Sequence, residues 1–186
     1  MTGHGKLKTI SGPMYAGKTS ELLREILWVK HCDRSVIVIK PSIDNRYSET
    51  HIETHNQLKF PCFAMEDWSH VLDNFNLKPY NYHTVFLDEV QFMDTSETVD
   101  NVKQMLHNGV NVVAAGLDQD SKGNPFETTS MLLALSDEIK KIRSVCTVCG
   151  KDATKTQRIT QTQNNRVAVG SVGMYEPRCI EHWDPK

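Results

Sequence analysis

No stretch of this chain is apolar for the roughly 20 residues that a membrane span requires, and no repeat or low-complexity tract interrupts it. Neither sign of charge dominates. The 21 Lys and Arg residues nearly balance the 23 Asp and Glu, for a net charge of −2. There is thus no basic footprint, and binding to a nucleic-acid polymer is not expected. The opening Met1-Thr-Gly-His-Gly-Lys6 has no apolar core of the kind a signal peptide needs, so the expectation is a cytoplasmic, reducing location without membrane attachment. Cysteine is sparse, at five residues. In a reducing compartment so few thiols argue for metal ligation or free thiols over a disulfide framework. What remains is an ordinary globular composition, with length for one good core and a small appended module.

The most informative segment present is Gly12-Pro13-Met14-Tyr15-Ala16-Gly17-Lys18-Thr19, which fits G-x-x-x-x-G-K-[ST]. The glycines let backbone N–H groups approach phosphate oxygens. Lys18 supplies a positive charge for the β- and γ-phosphates, and the Thr19 hydroxyl is a hard oxygen ligand for Mg²⁺. Leu7–Ser11 ahead of it reads as a strand. Ser20–Lys30 behind it reads as a helix whose stripe is Leu22, Leu23, Ile26, Leu27 and Val29. Strand, loop and helix in that order aim a helix N-terminus at an anion. Met14 and Tyr15 suit pocket wall or core, Trp28 suits the core, and Cys32 and Cys62 suit buried, unligated positions.

Further along, 35–40, 60–64, 84–87 and 110–117 read as strands. Residues 68–75 read as a helix, as does a segment opened by Asp94 with Glu97 and stopped near Gly109. Strands alternating with helices predict a mostly parallel sheet covered on both faces. The strand 84–87 runs into Asp88-Glu89. A carboxylate at that point of a phosphate-loop protein meets Mg²⁺, directly or through water. Its neighbour Glu89, on the other side of the strand end, is placed to take a proton from an incoming hydroxyl or water.

From about Arg143 the composition shifts, and three of the cysteines follow, which sets a domain boundary near 142–144. Cys146-x₂-Cys149 and Cys179-x₂-His182 supply four ligands of the kind tetrahedral Zn²⁺ takes, with no open position, so the site should be structural. The excursion 150–178 exceeds the roughly 15–20 residues of a usual zinc ribbon. Closing it with a metal reduces the entropy of a segment that would otherwise flap.

Taken together, the phosphate loop, Asp44-Asn-Arg46-Tyr, Asp88-Glu-Val-Gln91-Phe92, Gly116-Leu-Asp-Gln-Asp120 and Cys-x₂-Cys … Tyr175 … Cys-x₂-His resemble the type II thymidine kinases over nearly the whole chain. The resemblance implies a RecA-like P-loop α/β domain over 1–142 and a zinc-ribbon domain with a lasso loop over 143–186. It implies transfer of the γ-phosphoryl of ATP to the 5′-hydroxyl of thymidine or deoxyuridine. Glu89 would be the base, Thr19 and Asp88 would hold Mg²⁺, and Arg46 and Lys18 would meet the phosphoryl group. Gly12 to Thr19, Asp88 and Gln91 would bind ATP. Asp44 and Gly170 would meet the 3′-hydroxyl, while Met14, Phe92, Leu117, Phe126 and Thr156 would wall the thymine. Backbone near Ala168 and Tyr175 would read its edge. A homotetramer and feedback inhibition by thymidine triphosphate are implied in the same way. The sequence departs from the family at Ser121 and Lys122, where an aromatic and an arginine are usual, so a looser edge to the nucleoside pocket is expected. A competing reading is a recombinase-like ATPase or switch carrying a zinc ribbon.

Overall fold

The computed structural model describes residues 3–43, 50–53, 58–74, 81–160 and 173–185. Its centre is a wholly parallel six-stranded sheet. In chain order the strands are β1 (Leu7–Ser11), β2 (Val36–Pro41), the short outlying pair β3 (His51–Glu53) and β4 (Lys59–Pro61), β5 (Phe63–Met65), β6 (Thr84–Leu87), β7 (Asn111–Gly116) and β8 (Glu138–Lys141). The sheet order is β5-β2-β6-β7-β1-β8, and β3 pairs antiparallel with β4 outside it.

The inner strands read as near-continuous apolar runs because both their faces are covered. Leu7, Val85, Leu87, Val112 and Ala114 enter one buried cluster, while Ile10, Phe86, Val113 and Ala115 enter the other. That alternation is the period of two that a pleated strand imposes. Helix α1 (Lys18–His31) covers the second face through Leu22, Leu23 and Ile26. Helices α2 (Trp68–Asn74), α3 (Thr95–His107) and α4 (Glu127–Leu135) lie on the first. Trp68 donates its indole N–H to Thr98 at 2.9 Å, which fastens α2 to α3 inside the core.

The expected architecture, a mostly parallel sheet with helices on both faces, is therefore present. Several local expectations differ. The buried stripe of α1 is narrower than its composition suggests: Leu27 is exposed, and Trp28 is 70% exposed. Trp28 follows Ile26 by two residues, about 200° around the helix, so it faces away from the sheet. Cys32, just past the helix end, is exposed too. The strand expected at 60–64 is broken at Cys62 into β4 and β5. Helix α4 and strand β8 carry little local signal. After Glu127, the first turn of α4 is Thr128, Thr129 and Ser130, all weak helix formers. In β8, three charged residues of four mark a sheet edge, where charge discourages further pairing. At α3, Asp94 accepts from the Glu97 N–H at 2.9 Å, and Gly109 takes φ +82 just beyond the end, as the caps predicted.

The last part of the chain adds β9 (Ser144–Val145), β10 (Asp152–Ala153), β11 (Lys155–Arg158) and β12 (Tyr175–Arg178), paired as two small antiparallel ladders. Among the described residues no helix is long and apolar enough to cross a membrane.

Edge strand β8 is held to α1 by Glu21. Its carboxylate takes hydrogen bonds from Arg24, resists burial, and meets Lys140 at 2.8 Å, and the balance lowers its pKa from 4.5 to about 2. A carboxylate lowered on folding contributes stability above its unfolded value and loses it as pH falls through the folded one. Glu21→Gln should thus cost about 1 kcal/mol at pH 7, a value set by partial exposure. The difference in chemical denaturation midpoint between variant and parent should shrink as pH falls from 4.5 towards 2.

Candidate active site

The carboxyl ends of all six strands lie on one side of the sheet, because parallel strands share that edge. Ser11, Gly116 and Lys141 are in register there, and β1 delivers the chain into the glycine-rich loop. Gly12 is demanded by a close approach: a Cβ on it would sit 2.4 Å from the carbonyl oxygen of Ile142. Gly17 at φ +84 caps α1, and Tyr15, a non-glycine at φ +61, turns the loop before it. A left-handed residue of this type costs about 1–2 kcal/mol and persists where its surroundings fix it. Those surroundings are visible. Thr156 on β11 accepts from the Met14 N–H at 3.1 Å, and Ser144 on β9 donates to the Tyr15 carbonyl at 3.0 Å. Lys18 is 8% exposed and its ammonium reaches back over the loop to the Pro13 carbonyl at 2.9 Å.

Across the edge, at the end of β6, Asp88 is buried, and its backbone N–H donates to the Ile39 carbonyl at 2.9 Å. The Thr19 hydroxyl donates to its Oδ2 at 3.3 Å. Adjacent oxygens in an octahedral Mg²⁺ shell with bonds of about 2.1 Å stand roughly 3 Å apart, so this hydroxyl and this carboxylate fit two neighbouring positions around one ion. Glu89 follows immediately at φ +51, half-buried, with its N–H bonded to Asp88 Oδ1 at 3.0 Å. The left-handed turn swings the Glu89 side chain out of strand geometry. Gln91 then holds it: its amide nitrogen donates to Glu89 Oε2, and its Oε1 accepts from the Leu117 N–H at 2.9 Å. Gly116 must be glycine to admit this amide, since a Cβ there would meet Gln91 Oε1 at 2.9 Å and Val90 at 2.7 Å.

Of the residues expected around a nucleoside, Leu117, Phe126, Thr156 and Tyr175 are buried, and Met14 and Phe92 are half-buried. Thr156 has its hydroxyl engaged with the phosphate loop, and Gln91 is engaged with Glu89, so the structure gives both of them a holding task. The Arg158 guanidinium lies 6.0 Å from the centre of the Tyr175 ring. Asp44, Arg46, Ala168 and Gly170 lie outside the described residues. Ser144, Lys155 and Trp183 had no sequence signal, being ordinary polar or aromatic residues outside any motif.

Cys146, Cys149, Cys179 and His182 converge, with all four candidate ligand atoms within 4.8 Å of one another. Tetrahedral Zn²⁺ with sulfur at about 2.3 Å and nitrogen at about 2.0 Å sets ligand atoms roughly 3.5–3.8 Å apart. The sulfurs of Cys149 and Cys179 are 3.7 Å apart, and His182 Nδ1 is 3.2 Å and 3.9 Å from those of Cys179 and Cys146. The set can hold one ion with protein ligands alone. Burial resists ionisation of Cys146, but backbone N–H groups of Cys179, Val148 and Cys149 outweigh it and lower the thiol, while at Cys149 the Lys151 N–H is outweighed by burial and the neighbouring sulfurs, which raise that thiol. The thiolate is the form that ligates. Gly150 at φ +73 turns the chain just after the first pair.

Relatives match the chain over nearly its whole length. Residues 5–183 match the family described as thymidine kinase. A thymidine kinase of Thermococcus kodakarensis is 38% identical over 185 residues, covering 96% of this chain and 93% of that one. Another, of Pyrobaculum aerophilum, is 38% identical over 182 residues, covering 95% and 97%. Domain III of the Thermotoga maritima replication initiation protein DnaA superposes with a TM-score of 0.45 at 15% identity, over 73% of this chain and 54% of that one, too loosely to carry an argument. A phosphate loop, a buried acid within reach of its threonine and a four-ligand metal cluster thus come with two relatives of one name, and the chain belongs to the thymidine kinase family.

Proposed function

We propose that this chain transfers the γ-phosphoryl group of ATP to the 5′-hydroxyl of thymidine, and of deoxyuridine, releasing ADP and the nucleoside 5′-monophosphate. The observation that carries the reading is the 3.3 Å approach of Thr19 to Asp88, with Glu89 next in the chain. It supports a reading in which Thr19 and Asp88 bind the metal and Glu89 accepts the proton beside the glycine-rich loop. Family membership supplies the substrate class.

In this reading the loop amides and Lys18 hold the triphosphate, Lys18 leaving the Pro13 carbonyl for the β- and γ-phosphates. Thr19 and Asp88 hold Mg²⁺, which when bound neutralises charge on the phosphate oxygens. Glu89, steadied by Gln91, takes the proton of the 5′-hydroxyl as that oxygen bonds to the γ-phosphorus and the bond to the ADP oxygen breaks. Phosphoryl transfer of this kind needs placement and charge more than covalent help. Arg46 adds a cation at the phosphoryl group, and Asp44 and Gly170 meet the 3′-hydroxyl. Met14, Phe92, Leu117, Phe126 and Thr156 wall the base, with Ala168 and Tyr175 at its edge. Residues 143–186 form the unit that closes over the nucleoside, with Cys146, Cys149, Cys179 and His182 holding structural Zn²⁺.

ADP release measured with thymidine, deoxyuridine, deoxycytidine and no nucleoside tests the activity. Strong dependence on the first two is expected. Steady ADP release without nucleoside would instead indicate an ATPase. Glu89→Gln should lower turnover by at least about 100-fold, the lower end of general-base contributions, with ATP and thymidine affinity within a few-fold of the parent; normal turnover would refute the base. Cys146→Ser should lose zinc from the purified protein and increase proteolytic nicking between 150 and 178, whereas parental zinc content would overturn the ligand set.

A further inference from the structure

The segment after Leu117 is a compact hairpin. Gln119 and Pro125 form an antiparallel bridge, and the Phe126 N–H donates to the Asp118 carbonyl at 3.1 Å. Inside its turn the Asp120 carboxylate accepts from the N–H groups of Lys122 and Asn124, each at 2.9 Å. Asp120 therefore makes the hairpin internally stiff. Its two feet, Leu117 and Phe126, are buried, and its tip at Ser121–Gly123 carries the contacts to Trp183, the residue after His182.

Trp183 meets that tip. Its indole N–H donates to the Ser121 carbonyl at 3.1 Å. Its six-membered ring lies against Gly123, so closely that a Cβ there would be 2.7 Å from it, and Gly123 also has φ +83. The ammonium of Lys155 stands 4.8 Å from the ring centre and donates to Gln119 at 2.6 Å, so one cation holds the ring and the hairpin together.

The chain on each side of Trp183 is fixed. His182, before it, is one of the four metal-binding residues. Asp184, after it, exchanges two hydrogen bonds with the Gln157 side chain on β11, at 2.7 and 2.9 Å. Between Lys155 and Gln157 on that same strand, Thr156 holds the phosphate loop at Met14. Three consecutive residues of β11 therefore address the hairpin, the phosphate loop and the tail that carries Trp183.

We propose that Trp183 is a positioning residue for thymidine, transmitting the placement of the metal-held tail to the hairpin whose feet wall the nucleoside. This inference rests on the thymidine reading of the site. A stiff hairpin gripped at its tip cannot tilt, so Leu117 and Phe126 keep their separation from the opposite wall. Released, it pivots about its feet. The phosphate loop keeps its own bonds to Thr156 and Ser144, so ATP binding is spared.

The test uses the full-length protein with zinc content, thymidine affinity by calorimetry and steady-state kinetics measured on each variant. In Trp183→Ala, the Kd and KM for thymidine should rise about tenfold, with kcat and the KM for ATP within about twofold, the pattern of lost substrate positioning. Zinc content should equal that of the parent. Trp183→Phe keeps a ring against Gly123 but loses the N–H, and should show a smaller rise in thymidine Kd. Gly123→Ala, which evicts the ring from the other side, should reproduce the Trp183→Ala pattern, and with Trp183→Phe decides the matter if Trp183→Ala does not fold. Unchanged thymidine affinity in zinc-loaded variants would overturn the inference while leaving thymidine kinase activity intact. So would equal losses in thymidine affinity, ATP affinity and kcat, which mark general destabilisation. A zinc-loaded parent with no thymidine-dependent ADP release would overturn the functional reading, and this inference with it.

Discussion

The meeting of Thr19 with Asp88 is the contact on which the site depends, and the sheet is what makes it possible. The two residues follow strands β1 and β6, which β7 separates in space, and they stand 69 residues apart in sequence. Only a parallel arrangement brings both strand ends to one edge. Backbone pairing does the positioning: Asp88 is anchored through its N–H to Ile39 on β2, and the phosphate loop by the bonding of β1 to β7 and β8. The hydroxyl and the carboxylate then stand at a spacing that suits two ligands of one small divalent cation, with no strain needed at either. The strain lies beside them instead, in the left-handed backbones of Tyr15 and Glu89. Both are held by side-chain hydrogen bonds, Tyr15 from Ser144 on β9 and Glu89 from Gln91 two residues on, itself anchored to Leu117. Storing unfavourable backbone geometry where chemistry needs an awkwardly aimed group is a recurrent use of fold stability.

A second level of organisation comes from the C-terminal ladders. Strand β11 is only four residues long, yet it grips the phosphate loop, the hairpin after β7 and the tail after the metal cluster. A segment this short, with few apolar residues, has little core of its own to keep it in place. A metal held by Cys146, Cys149, Cys179 and His182 would supply that constraint. An ion there would do more than tie its own ligands together, because the loop, the hairpin and the tail all bond to β11.

Much of this was legible beforehand, for reasons of period and motif. The inner strands announce themselves because burial on both faces demands unbroken apolar runs, as in Val85-Phe86-Leu87 and Val112-Val113-Ala114. The phosphate loop, the strand-end acids and the cysteine and histidine pairs are visible because their chemistry dictates residue type and spacing together. What was hidden depends on context. Leu27 stands at the margin of an apolar stripe and Trp28 beside it, so their exposure depends on the angle at which α1 meets the sheet. Helix α4 has threonines in its first turn that tertiary packing overrules, and β8 is a charged edge with no apolar pattern. The roles of Gln91 and Thr156 as holders of other residues could not be seen, since each is defined by a partner far away in the chain: Leu117 for one, Met14 for the other. Trp183 is the extreme case, its meaning set by a carbonyl and a glycine about sixty residues before it.

The most direct measurement is a crystal structure of the protein with a non-hydrolysable ATP analogue, Mg²⁺ and thymidine. The account requires the ion beside both Thr19 Oγ1 and the Asp88 carboxylate, and a Glu89 oxygen within hydrogen-bond distance of the nucleoside's 5′-oxygen. An ion held elsewhere, or a Glu89 carboxylate turned away from that oxygen in the ternary complex, would contradict it.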